Sequence, residues 1–150
     1  MAIQNKAEVV WEGGLANGSG HLSVGTGAFP EQTVRFGGRT EPAAGMTNPE
    51  ELLAAAHAVC FSMAFAHRLG QNQTPPEKLD VATTCTLERT EGGLKITAMD
   101  LAVSGDVPGM DAAEFQRLAT EAEQKCPVSN ALRGNIDIRL TARPVASPAR

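Results

Sequence analysis

Three cysteines, Cys60, Cys85 and Cys126, are the candidate nucleophiles of this chain. Their number is odd, their spacings are long, and no CxxC pair occurs. Such a set makes a poor disulfide scaffold and, in a reducing compartment, invites a redox or nucleophilic reading. His21, His57 and His67 show no zinc-ligand spacing with them. Cys126 stands just before Pro127, at the predicted N-cap of a short helix, where free N–H groups and the dipole lower a thiol pKa. Lys125 beside it would add to that effect; the bland alternative is a turn cysteine of no consequence. Cys60 falls in the middle of an apolar helix, where the amides are already used and burial raises a thiol pKa. It is either a small apolar filler or a nucleophile that needs a cation from elsewhere. His57, three residues earlier on the same face, is one candidate, and Arg35 or Arg39 is another. His57 reads equally as a packed histidine with a local partner. An arginine has a second use, because its fork of donors can hold an oxygen substrate and pair with a carboxylate such as Glu50. Glu50 and Cys60 are ten residues apart on one helix, or about 15 Å along its axis. For Glu50 to act on Cys60, it must come from a second subunit in an antiparallel, two-fold pairing. Otherwise Glu50 is simply a carboxylate suited to the positive end of a helix.

The elements that must position these groups follow from local patterns. Thr47 to Leu69 reads as one long helix, with Thr47 or Asn48 as cap, Pro49 in its first turn and Glu50 at the capping-box position. Its nearly continuous apolar run predicts burial on most sides, and it reads as too short and too interrupted by His57 and Ser62 for a membrane span. Gly70 is the predicted C′ residue. Before it, Ala7 to Glu12 and His21 to Gly25 form a predicted hairpin, Gln32 to Phe36 extends that sheet, and Gly37 to Met46 is a loop. After it, Leu79 to Arg89 and Leu94 to Val103 alternate apolar and polar about an Glu91-Gly92-Gly93 turn, with a shift before Leu101. Cys85 lies on the apolar face of that hairpin and reads as a core side chain. Asp111 caps a second, amphipathic helix, with Glu123 on its predicted wet face; the helix stops at Cys126-Pro127. Pro127 to Leu132 starts a short helix, and Asn135 to Arg143 is the last strand.

Size and charge bound the rest. At 150 residues and 15.7 kDa, with 42% hydrophobic residues, the chain suits a single α+β domain. A net charge of −4 gives no electrostatic case for nucleic acid or an anionic membrane. The N-terminus carries no apolar signal core, so a cytoplasmic protein is expected.

TNPEELLAAAHAVCFSMA, followed by DVPGMD and AEQKCPVSNAL, resembles the OsmC branch of the OsmC/Ohr family, as do the VRF segment around Arg35 and the opening AEVVWEGG. The resemblance runs from Ala7 to about Leu140. It implies an α+β fold of antiparallel sheets about a long buried helix, in an intertwined homodimer with both sites at the subunit interface. It also implies thiol-dependent reduction of organic hydroperoxides, in stress defence, without metal, haem or flavin. By the same resemblance Cys60 is the peroxidatic and Cys126 the resolving cysteine. Arg35 orients the peroxide, with Arg39 a competitor because the following loop is long, and Glu50 positions the arginine. A dithiol, such as a dihydrolipoyl group, would be the reductant. Two other readings use the same residues: a dimeric binder of a small apolar ligand or lipid, and a redox sensor. A hydrolase built on Cys60 and His57 lacks an evident oxyanion loop or activating acid.

Overall fold

The computed structural model describes residues 1–41 and 45–145. The chain divides into two compact units, Met1–Leu52 and Leu53–Arg150.

The first unit is a three-stranded antiparallel sheet, β1 (Ala7–Glu12), β2 (Ser19–Val24) and β3 (Gln32–Val34), in that order. β1 matches its predicted bounds, and the third segment does join the sheet, through Gly20 opposite Val34. Where a loop was expected after it, Gly37–Thr40 winds into one helical turn, α1; Pro42 to Ala44 of that loop lie outside the described residues. This unit has little core of its own. Leu22 is its one buried hydrophobic side chain among the described residues, whereas Val9, Val10, Trp11 and Leu15 are exposed.

The long helix, α2 (Pro49–Gln71), starts in the first unit and crosses into the second. Its cap is Asn48, whose Oδ1 accepts from the Glu51 amide at 2.8 Å. The predicted capping box of Thr47 and Glu50 is thus displaced by one residue, and Glu50 turns to another partner. Gly70 stays inside the helix, and the left-handed residue comes later, at Gln73 with φ 61°. With 23 residues α2 is long and apolar enough, by length and composition alone, to cross a bilayer, so neither its length nor the interruptions exclude a span on those grounds, contrary to expectation. One stripe packs into the second unit: His57, Phe61, Phe65 and Leu69 are each 0% exposed. The expectation of burial on most sides is corrected, since Val59 and Met63 on another face are exposed. Apolar composition alone could not tell a face buried within one chain from a face left open.

In the second unit β4 (Lys78–Thr90) and β5 (Gly93–Asp106) form the expected hairpin. A bulge falls slightly before the predicted shift, which lay between Ala98 and Leu101: Thr86 faces Ala98 and Leu87 faces Ile96, leaving Thr97 unopposed. The extra residue moves Met99, Leu101 and Val103 onto the buried face. α3 (Ala112–Lys125) begins at Asp111, whose side chain accepts from the Glu114 amide, and α4 (Pro127–Leu132) follows after Cys126. β6 (Asp137–Pro144) then pairs with β5 in parallel, not antiparallel as expected. A strand that returns over two helices re-enters the sheet in the direction of the strand it left.

The core of this unit lies where α2, α3 and the sheet meet. Phe65 stacks edge-on against Phe115 at 5.0 Å, and Phe61 lies 5.8 Å from Phe65. Gly105 gives Phe115 its room, because a Cβ there would come within 3.1 Å of the ring. Phe115→Ala should therefore cost about 3–5 kcal/mol, read from urea denaturation. A loss under about 1 kcal/mol would show that the ring is not part of the cooperative core.

Candidate functional site

The buried stripe of α2 fixes where Cys60 can go. Cys60 follows His57 by three residues and precedes Phe61, so it sits at the edge of the stripe, partly buried against the core. Its neighbour across the gap is Cys126, fully buried at the junction of α3 and α4. Pro127 forces this junction: it ends α3 one residue earlier and is pre-set for the first turn of α4. The two thiols lie side by side, both free, and the Val128 amide in the first turn of α4 faces the Cys60 sulfur. Sequence reasoning gave the helix N-terminus to Cys126; the structure turns one of its amides toward Cys60. Cys85 stands elsewhere, half-buried in β4 opposite Met99.

Burial pushes the Cys60 thiol up, the Val128 amide pulls it back, and the adjacent Cys126 adds to the rise. Cys60 borders a cavity of about 360 Å³, whose other walls include Met63, Ala64, His67, Lys125 and Pro127. Arg68 also borders it, but its Nε is held by Glu121 at 2.7 Å.

His57 does not turn to Cys60. Its Nε2 is 2.8 Å from the Ser129 hydroxyl, and both residues are 0% exposed. Burial lowers the His57 pKa, partly offset by the Glu123 carboxylate. The ring is therefore neutral at pH 7, and it is neither a cation for Cys60 nor a base open to substrate. Glu123, expected on the wet face of α3, is buried and holds Arg133 at 2.8 Å. The Ser129 contact was missed because nothing local in CPVS marks a serine for burial. The hint was a histidine four residues before Phe61 on an otherwise apolar stripe.

The first unit holds the arginines. Arg39 Nε lies 2.9 Å from Glu50 Oε1, and Glu50 is 7% exposed. The pair is close but poorly aligned, since neither Arg39 Nε nor the two Glu50 oxygens make a well-directed hydrogen bond. Arg35, the arginine first expected to pair with Glu50, follows β3 instead. It lines a cavity of about 180 Å³ together with Arg39, Trp11, Leu15 and Phe36. One turn of α1 separates the two guanidinium positions, which is why sequence alone could not choose between them. The electrostatics around the thiols give a first expectation: Cys126→Ala lowers the pH midpoint for alkylation of Cys60 by iodoacetamide, because it removes a neighbour that raises the pKa. An upward shift would mean that the Cys126 thiol stabilises the thiolate instead.

Comparison with known proteins bears on what this pair of thiols does. Residues 42–141 match the OsmC-like protein family. Peroxiredoxin OsmC of Escherichia coli is 38% identical over 138 residues, 92% of this chain and 96% of its own length. An organic hydroperoxide resistance protein of Xanthomonas axonopodis pv. citri is 42% identical over 96 residues, 63% of this chain and 66% of its own. Among solved structures, an organic hydroperoxide resistance protein from Elizabethkingia anophelis superimposes with a TM-score of 0.79 at 28% identity, over 97% of this chain and 99% of that one. These names support peroxidase-type activity at the level of the family. A family match from residue 42 to 141 and a relative aligned along nearly all of both chains, on a shared α+β fold, make this chain a member of the OsmC-like family.

Proposed function

We propose that the protein is a thiol peroxidase that reduces organic hydroperoxides through Cys60 and Cys126. The observation that carries this reading is the adjacency of the two free thiols, brought together from distant parts of the chain. The Cys60 thiolate attacks one peroxide oxygen; the O–O bond breaks and the other oxygen leaves, with a proton, as the alcohol. Cys60 is then a sulfenic acid. The Cys126 sulfur attacks it, an S–S bond forms, and the hydroxyl leaves as water with the Cys126 proton. A dithiol donor reopens the disulfide by exchange and is itself oxidised to a disulfide. The apolar walls of the Cys60 cavity suit the organic part of such a peroxide.

Cys60 needs a cation to hold its thiolate, because its immediate surroundings raise its pKa. We assign this role to Arg39, held by Glu50, with Arg35 in the same cavity as a second donor. The spacing of Glu50 and Cys60 along α2 favours delivery from a second copy. The first unit's sheet supports such a homodimer, since its apolar side chains lack a core to enter. Sedimentation should accordingly give twice the 15.7 kDa of one chain.

Steady-state consumption of cumene hydroperoxide with a dithiol donor tests the whole. Wild type turns over, Cys60→Ser does not, and Cys126→Ser inactivates within a few cycles. Wild-type turnover by Cys60→Ser would sink the mechanism and favour a ligand-binding protein, while a single stoichiometric oxidation would favour a sensor. Arg39→Ala should lower the rate by about 10²–10³-fold, the scale for removing a pre-set donor from developing charge. If Arg35→Ala costs that much and Arg39→Ala little, the two roles are exchanged.

A further inference from the structure

The buried pair His57–Ser129 has no part in the steps above, yet it spans the two segments those steps must align. His57 stands one turn before Cys60 on α2, and Ser129 stands three residues after Cys126, in the first turn of α4. Their 2.8 Å contact therefore runs beside the Cys60–Cys126 gap, joining the same two segments. α4 is short, and its end is held separately, by Arg133 on Glu123 of α3. A hydrogen bond fixes height and rotation, whereas an apolar contact would let so short a helix slide. The pair also leaves His57 Nδ1 buried with no hydrogen-bond partner among the described residues. An apolar pair of the same shape would avoid that penalty, so packing alone does not explain it.

We propose that His57 and Ser129 are positioning residues that hold Cys126 and the Val128 amide against Cys60, so that the sulfenic acid is captured by Cys126 before a second peroxide reaches it. The proposal rests on the peroxidase reading and concerns the step in which the S–S bond forms, the S–O bond breaks and water leaves. With the contact removed, α4 shifts and the approach of the Cys126 sulfur is slowed. Attack on peroxide by Cys60 then competes, giving sulfinic acid, with one oxygen added to sulfur and a second alcohol released.

The test is the partition of Cys60 between disulfide and sulfinic or sulfonic acid after one peroxide pulse without reductant, read by mass spectrometry on the full chain. In Ser129→Ala and in His57→Leu the overoxidised-to-disulfide ratio should rise about tenfold over wild type, within the range that small misplacements of reacting groups cause. The double variant should be no worse than the worse single, because both remove one interaction. Wild-type partition in folded Ser129→Ala overturns the proposal, as do effects that multiply in the double variant, which would mean two independent packing losses. Should His57→Leu fail to fold, Ser129→Ala decides by its partition together with His57→Gln, which keeps a polar atom near the Nε2 position and should partition within threefold of wild type. Absence of any Cys60–Cys126 disulfide in oxidised wild type would instead bring down the peroxidase reading itself, and this one with it.

Discussion

The repeat of four along α2 is the constraint on which the second unit depends. His57, Phe61, Phe65 and Leu69 are all fully buried, and on a helix of 3.6 residues per turn a step of four drifts by about 40° each time. The buried stripe therefore winds slowly round the helix. Cys60 falls just off it. A residue on the stripe would be sealed in the core; one on the far side would sit with the exposed Val59 and Met63. At the edge, the sulfur is backed by core and still borders a cavity. The aromatic contacts with Phe115 lock α3 to the same stripe, and α3 in turn delivers Cys126. Packing thus decides the geometry of the thiols, and the chemistry proposed for them would sit on a junction that the core has already made rigid.

Much of this was legible because it is local. A proline after a helix, an aspartate three residues before a glutamate and a two-period alternation with a slip each act within one turn or one hairpin. They located α3 and α4 without reference to the rest of the chain, and they placed the slip of β5 between Ala98 and Leu101, close after the bulge at Thr97. What was not legible depends on distant partners. The direction of β6 is set by where α3 and α4 return the chain. The burial of Glu123 is set by Arg133, and that of His57 by Ser129. The choice of Arg39 over Arg35 as partner of Glu50 depends on the single turn of α1, a segment whose glycines read as loop. The apolar character of α2 was plain, but composition does not say which faces a single chain covers.

On the proposed reading, the electrostatics of the thiols divide the labour between the two units. In the second unit two arginines near the helices are engaged, Arg68 by Glu121 and Arg133 by Glu123, while Lys125 borders the Cys60 cavity. The first pair ties α2 to α3 and the second ties the end of α4 to α3; drawing Arg133 away would strand the buried Glu123, whereas Glu121 is also held by Arg117 at 2.7 Å. The ion pair of Arg39 with Glu50 is different. It is close enough to hold the guanidinium in place, yet its donors and acceptors are badly aligned. Hydrogen-bonding capacity is left over, and on the reading proposed above an incoming oxygen would draw on it. A carboxylate that grips its arginine loosely would leave it oriented and available for that role.

The same division accounts for a sheet that looks unfinished. Three strands with Val9, Val10 and Trp11 in the open cannot be stable on the burial of Leu22, the one buried hydrophobic side chain of this unit among the described residues. On the reading proposed above, the surface that completes this sheet belongs to a second copy. The arginine that activates the thiol is then carried on the part of the chain that is ordered by association. Activation would follow assembly: a lone chain would keep Cys60 as the thiol that burial favours, and the dimer would convert it to the thiolate that reacts. A cysteine that is inert until its cation arrives from another subunit is protected from adventitious oxidation during folding, when peroxide could reach it but Cys126 is not yet in place to resolve the product.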